Sequence, residues 1–302
     1  TSGFDDVRRI VEREFPERTE RHCGVPSDDL RRAAHLLAAA SSAVILTGRG
    51  VEQHFNGTEG THAFINLALA LGLPGSERGG FGTLTGQGNG QGGREHGQKS
   101  DQLPGYRSNN DEGDRATLAA FWGVAPDVLP QPGKSAYELL SSVGVDVNAL
   151  LIMGSNPMVS APNAERVARA LRSADHLVVC DFFLSETARH AHVVLPALQW
   201  AEEAGTTTNL EGRVLLRERS VEPPDGPRSD LTILRDLAQR LGAAEHFPTD
   251  DPQRIFDELR GASAGGRADY YGITYDRLRA GDALHWPCLL YTSDAADDLT
   301  RV

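Results

Sequence analysis

The stretch that decides the fold reads ALLIMGSNPMVSAPN (residues 149–163), HLVVCDFFLSETARHAHVVLPALQW (176–200) and AEEAGTTTNLEGRV (201–214). Two short apolar runs, 149–153 and 176–180, each stop abruptly at small or polar residues, and an amphipathic stretch, 164–172, lies between them. A continuous apolar run reads as a strand buried on both faces, and strand–helix–strand order predicts a parallel sheet. Such sheets hold ligands at the carboxyl ends of their strands. Here those ends are Gly154-Ser155-Asn156-Pro157 and Cys180-Asp181. A third run, 192–195, stops at Pro196 and feeds a polar loop containing Thr206, Thr207, Thr208, Asn209, Glu211 and Arg213. Three strand ends thus turn hydrogen-bonding groups toward one rim, the layout of a nucleotide pocket. Ser155 and Asn156 suit a dinucleotide, and Asp181 suits ribose hydroxyls or a guanine N–H edge, although an acid in that place also caps a following helix.

Composition sets the outer limits. A chain of 302 residues has room for two domains of ordinary size. With 30 Lys+Arg against 42 Asp+Glu, the formal charge of −12 argues against nucleic acid and anionic membrane surfaces as partners. It leaves an anionic substrate open, because a local basic site can sit in an acidic protein. No apolar run approaches the roughly 20 residues that span a bilayer. The three cysteines, Cys23, Cys180 and Cys288, form no CxxC pair and so neither a disulfide framework nor an iron–sulfur site. Cys180 also reads as a small apolar residue buried at a strand end.

Upstream, residues 1–15 read as one helix ended by Pro16, and 28–40 as a second, with Ser27 in the capping position. A strand at 43–46, the turn Thr47-Gly48-Arg49-Gly50 and a buried helix at 61–71 make a βα unit whose glycine turn lets a backbone approach a phosphate. Residues 79–97 hold nine glycines in nineteen positions. They are interspersed with Gln87, Asn89, Gln91, Arg94, Glu95 and His96, which is not the composition of a passive linker. The reading is a loop whose glycines take positive φ angles and pass close to a bulky ligand. Arg94 offers a planar anion a fixed fork of donors, with Lys99 near in sequence; it equally suits an ion pair with Glu95 or a phosphate contact. His96 suits proton delivery or a hydrogen-bonded loop position. Helices are predicted at 111–122 and 134–142, from Ser229-Asp230 through 241, and at 251–259; Asp230 also reads as an ordinary capping carboxylate.

Four pieces in register carry a resemblance: Gly-Ser-Asn-Pro (154–157), Asp181 followed by Glu-Thr-Ala (186–188), Val-Val-Leu-Pro (193–196) and Gly-Thr-x-x-Asn-x-Glu-Gly-Arg (205–213). Together they resemble the molybdopterin oxidoreductases of the dimethyl sulfoxide reductase type. The loop wording at 85–107 looks most like the assimilatory nitrate reductases, and Asp269-Tyr270-Tyr271-Gly272-Ile273 resembles a nitrate reductase segment leading toward the last domain.

The resemblance implies an α/β fold, parts of two Rossmann-like lobes with mainly parallel sheets, from a larger multidomain molybdoenzyme. On that basis residues 1–90 end one dinucleotide-binding lobe, 91–242 form a second, and 243–287 lead to a missing C-terminal domain. It further implies reduction of nitrate to nitrite at molybdenum held by two molybdopterin guanine dinucleotides. Formate oxidation or another molybdopterin oxidoreductase activity on the same scaffold, and a non-catalytic homologue, are the alternatives. Cofactor contacts carried over are Arg49, Gln53, Ser155, Asn156, Cys180, Asp181 and Asp230, with Arg94 in the substrate funnel. The metal ligand and the 4Fe-4S cysteines are expected upstream of Thr1, which makes the chain an internal fragment. An electron donor is implied: ferredoxin, flavodoxin or an NADH-linked reductase subunit. Glu203 stands where many relatives have lysine and Arg49 where periplasmic relatives have methionine, which points to a cytoplasmic enzyme. Residues 288–298, CLLYTSDAADD, resemble a translated sequencing-library adapter, so 288–302 are set aside as a non-native tail.

Overall fold

The computed structural model describes residues 3–84 and 86–287; Thr85 and the adapter-like tail lie outside the described residues. The chain divides into two compact units, the first ending at Gly88 and the second beginning at Asn89. The fold is mixed α/β with mainly parallel pairing.

In the first unit, strand β1 (Ala43–Thr47) pairs in parallel with β2 (Gly79–Thr83), and the helix Gly57–Ala70 makes the crossover. Ile45, Ala68 and Leu73 form its core. Two expectations are corrected here. Pro16 does not simply end a helix; it opens another, Pro16–Cys23, because proline's fixed φ and missing N–H suit the first helical turn. The start of the glycine-rich stretch is a strand, not a loop. A Cβ at Gly79 would lie 1.7 Å from the Ala43 carbonyl oxygen, so glycine is what permits the pairing.

The second unit opens with a short helix, Gly90–Glu95, followed by a minimal antiparallel pair, β3 (Gln102–Leu103) and β4 (Arg107–Ser108). Among the described residues from 79 to 97, positive φ occurs at Gly97 alone. Elsewhere in that stretch the missing side chain matters for close packing rather than for φ. At Gly92 a Cβ would meet the Asn89 amide oxygen at 2.3 Å.

The central sheet is β5 (Ala149–Met153), β6 (His176–Asp181) and β7 (Val193–Pro196), all parallel and in that order. The helix Ala164–Arg172 crosses between the first two strands and buries Val167 and Leu171 against Leu177 and Val179. Full burial on both faces, predicted for every apolar run, holds best for the middle strand. Leu151 of β5 and Val193 of β7 remain 39% and 47% exposed, since edge strands lack a neighbour on one side. An antiparallel hairpin follows, β8 (Gly205–Thr208) with β9 (Val214–Arg217).

Residues 243–287 contribute heavily to the second unit. Val214 of β9 packs with Phe256, Leu259, Tyr270, Ile273 and Tyr275 in one buried cluster. The helix Pro252–Ser263 is capped by Asp251, which accepts from the Gln253 and Arg254 amides.

Leu177→Ala, at a fully buried position of β6, should cost about 2–5 kcal/mol in urea unfolding. Val193→Ala on the exposed edge should cost less than about 1 kcal/mol; equal losses would contradict this description of the sheet.

Candidate functional site

The rim is built by the turns that stop the parallel strands. Gly154 leaves β5 with φ +55°, and its amide donates to the Cys180 carbonyl at 3.1 Å, so the first two strand ends are tied together. The Ala197 amide donates to the Asp181 carbonyl and ties in the third. Cys180, Ala197 and Ile233 pack as one buried group, which brings the start of the helix Asp230–Arg240 to the same edge of the sheet. Burial and the neighbouring Asp230 carboxyl push the Cys180 thiol upward, away from the reactive thiolate.

Asn156 and Asp181 both hold the segment 185–187. Asn156 Oδ1 accepts from the Thr187 amide (3.2 Å) and hydroxyl (2.7 Å), and its Nδ2 donates to Glu186 Oε2 (2.8 Å). Asp181 Oδ1 accepts from the Phe182 and Phe183 amides, and Oδ2 accepts from the Ser185 hydroxyl at 2.7 Å. This is an Asx-type turn, the capping alternative for that acid. After these bonds one N–H of Asn156 and lone pairs of Asp181 Oδ2 remain for a ligand. Ser155 is exposed beside them and makes no side-chain hydrogen bond among the described residues.

Asp230 differs from both. Its Oδ1 is buried and has no hydrogen-bond partner among the described residues, and burial pushes the carboxyl upward. An acceptor in that condition fits a ligand that brings its own N–H donors. It lines a cavity of about 270 Å³ whose wall is polar at Asn89, His96, Gln98, Glu203 and Arg217 and apolar at Leu231, Ile255, Phe256 and Leu259. Burial also raises Glu203, against the pull of Arg217 at 3.8 Å. Neither Asn156 nor Asp181 lines that cavity. The sheet edge brings the three together; a common pocket does not.

Arg94 stands on the helix Gly90–Glu95 of the same unit. Asn89, just before that helix, accepts from the Thr208 amide of β8 at 2.9 Å. Glu95 is fully buried, accepts from the Tyr270 hydroxyl and is pushed upward by burial; Tyr270 in turn bonds Thr208 at 2.8 Å. Arg94 itself forms no ion pair with Glu95. Its Nη2 donates to the neutral Gln91 Oε1 at 2.6 Å, and no carboxylate within 4.0 Å among the described residues cancels its charge. His96 lies edge-on to Tyr270, and burial lowers it to about 4, so its ring is neutral near pH 7. From the sequence, Thr208 is read only within the polar loop after Pro196, Tyr270 only within the Tyr-Tyr-Gly segment at 270–272 and Tyr106 only within the loop wording at 85–107.

In the first unit, Arg49 follows the turn after β1 and pairs with Glu52 at 3.3 Å, while Gln53 ends the short helix Arg49–Glu52. Thr47 Oγ1 at the end of β1 is buried without a partner among the described residues.

A family model described as Molybdopterin oxidoreductase matches residues 32–240. The chain belongs to that family. Among curated molybdopterin oxidoreductases and their kin, it is 45% identical to the assimilatory nitrate reductase catalytic subunit of Bacillus subtilis, over 95% of this chain and 41% of that protein. It is 38% identical to the F420-dependent formate dehydrogenase subunit alpha of Methanocaldococcus jannaschii, over 96% of this chain and 42% of that protein. It is 35% identical to the nitrate reductase of a Synechocystis strain, again over 41% of the relative. The acetylene hydratase of Pelobacter acetylenicus shares the fold, with TM-score 0.59 and 17% identity over 92% of this chain and 40% of that one. The chain therefore spans about two-fifths of the length of these relatives. No described helix is long and apolar enough to cross a membrane.

Because Asp230 holds its proton more tightly folded than unfolded, stability falls as pH rises from the unfolded value to the folded one, and the deficit persists above it. Asp230→Asn removes that deficit. Its advantage in urea midpoint should grow as pH rises from about 4, the ordinary aspartate value; a constant or reversed difference would contradict the assignment.

Proposed function

We propose that this chain is part of the catalytic subunit of a nitrate reductase, and that Arg94 receives the nitrate anion. The observation that carries the reading is the uncancelled guanidinium. Arg94 is half-buried, hydrogen-bonded to an amide and free of carboxylate partners among the described residues. A partly desolvated, unneutralised fork favours a small planar oxyanion. The similarity to two nitrate reductases supports the choice of anion.

The cofactor of this reading is molybdenum held by two molybdopterin guanine dinucleotides, with a 4Fe-4S cluster bound by cysteines outside the chain. When bound, such a cofactor supplies two-electron oxygen-atom transfer. The chain's own residues fit the nucleotide part. Asp230 Oδ1 is an unfilled buried acceptor suited to the N–H edge of guanine, and the exposed Ser155 hydroxyl and spare Asn156 N–H suit polar groups at the strand ends. Asp181 keeps the turn in shape and retains acceptor capacity. Cys180 packs beneath the rim. Within the first unit, Arg49 and Gln53 serve as cofactor contacts. Reduction of nitrate to nitrite and water consumes two electrons and two protons. A redox protein, ferredoxin, flavodoxin or an NADH-linked subunit, delivers the electrons. His96, neutral near pH 7, is a poor proton donor there and acts as part of the loop's packing. The enzyme of this reading works in the cytoplasm and binds neither nucleic acid nor membrane.

Formate oxidation is the second reading, favoured by the 38% identity to an F420-dependent formate dehydrogenase subunit. Formate is also a small planar anion, so Arg94 does not separate the two. In the purified full-length enzyme, nitrate reduction without formate oxidation decides for the first. Arg94→Ala should raise the KM for nitrate roughly tenfold or more with unchanged molybdenum content. Unaltered nitrate kinetics, or loss of molybdenum, would overturn the role.

A further inference from the structure

Gln91 and Tyr106 are the groups that fix how the Arg94 fork is turned. We propose that Gln91 is a positioning residue which aims the guanidinium at the substrate anion, with Tyr106 as its support. The proposal rests on the reading of Arg94 as the anion receptor.

Gln91 and Arg94 lie three residues apart, on one face of the helix Gly90–Glu95. The amide of Gln91 is bonded at both ends. Its oxygen accepts from Arg94 Nη2 at 2.6 Å, and its nitrogen donates to the Tyr106 hydroxyl at 3.3 Å. The orientation is forced, because a guanidinium only donates, so the amide oxygen must face it. One donor of the fork is thereby pinned while the others stay available to a ligand. A neutral pin also keeps the charge intact. A carboxylate in the place of Gln91 would hold the arginine equally well and cancel the field that attracts the anion.

Tyr106 is held in turn by a conformation that few side chains adopt. Its φ is +58°, directly after Gly105 at +80°, so two successive residues are left-handed between β3 and β4. An aromatic residue in that region persists where the surroundings over-determine it. Here they do. The Gly105 amide donates to the Glu95 carbonyl at 2.9 Å, and the Gly105 carbonyl accepts from the Ala268 amide at 3.2 Å. A Cβ on Gly105 would crowd the Ser263 backbone at 3.1 Å in a conformation that L side chains rarely adopt, so a larger residue in the preceding position is strained. The Tyr106 ring rests edge-on against Trp286, with centroids 5.8 Å apart. The tight turn is thus hydrogen-bonded to the helix that carries Arg94, and its tyrosine reaches back to the amide that orients it.

Losing Gln91 leaves the positive charge and frees its direction. The cost falls on anion binding, through lost preorganisation, rather than on the redox step. A double-mutant cycle in the full-length, molybdenum-loaded enzyme tests this, with Gln91→Leu made in the native and the Arg94→Ala backgrounds. Nitrate KM, kcat and thermal midpoint are measured for each. In the native background Gln91→Leu should raise nitrate KM about tenfold with kcat within about twofold. In the Arg94→Ala background it should change KM by less than about twofold, because a residue that acts through arginine has nothing left to aim. Equal effects in both backgrounds, or no effect in the native one, would overturn the proposal while leaving Arg94 its role. Failure of Arg94→Ala itself to move KM would overturn the underlying reading and the proposal with it. Should Gln91→Leu not accumulate as folded protein, Tyr106→Phe, which removes one oxygen, carries the same cycle with a smaller expected rise of about threefold; its absence would count against the proposal.

Discussion

Parallel strands joined by crossovers all finish on the same edge, and every one of them has to be stopped there. That constraint governs the second unit. At the ends of β5, β6 and β7 the backbone leaves its ladder, and its amides and carbonyls need new partners. Small and polar residues at 154–157, 181 and 185–187 supply them. A polar rim is therefore a structural necessity before it is a binding site. What distinguishes the rim as a site is the capacity left once the chain's own needs are met. Asn156 and Asp181 spend most of theirs on the segment 185–187. Asp230 Oδ1 spends none.

The same accounting separates the basic groups. Arg107 donates to the carbonyls of Pro104, Ala262 and Ala264, and Arg115 to those of Pro126, Leu129 and Pro130. Both are buried guanidinium staples for loops, and their donors are committed to backbone. Arg94 has the same chemistry and one committed nitrogen. Within a chain of net charge −12, a local positive field depends on such a group keeping clear of carboxylates. Glu95 meets that requirement although it is the next residue, because its carboxyl turns inward to Tyr270 while Arg94 turns to Gln91. Adjacent residues on a helix point in different directions, so neighbours in sequence are poor guesses as partners.

The elements of the central sheet were legible because apolar runs, a helical period and abrupt polar stops agree over residues 149–196. The helix start read at Ser229 is capped as expected, its hydroxyl accepting from the Thr232 amide, whereas Ser27, read as a cap, is itself the first helical residue and makes no capping bond. The strand β2 was hidden, since Gly79 and Gly80 carry no strand signal, and Gly79 is there for the backbone of β1. The residues of the candidate site were legible as positions, not as relationships. Nothing in the sequence distinguishes an asparagine that clamps Thr187 from one that faces a ligand. Nothing local joins Tyr270 to Glu95, 175 positions away. Such pairings are set by how separate elements pack, and a single sequence records that only through family resemblance.

The central claim is that ligand-binding capacity at the strand ends resides in the groups the chain leaves uncommitted. A crystal structure of the full-length enzyme with its molybdenum cofactor bound tests it most directly. The account predicts donors of the cofactor within hydrogen-bond distance of Asp230 Oδ1, and a polar contact to the Ser155 hydroxyl. An ordered cofactor that leaves both of these groups without a contact would contradict it.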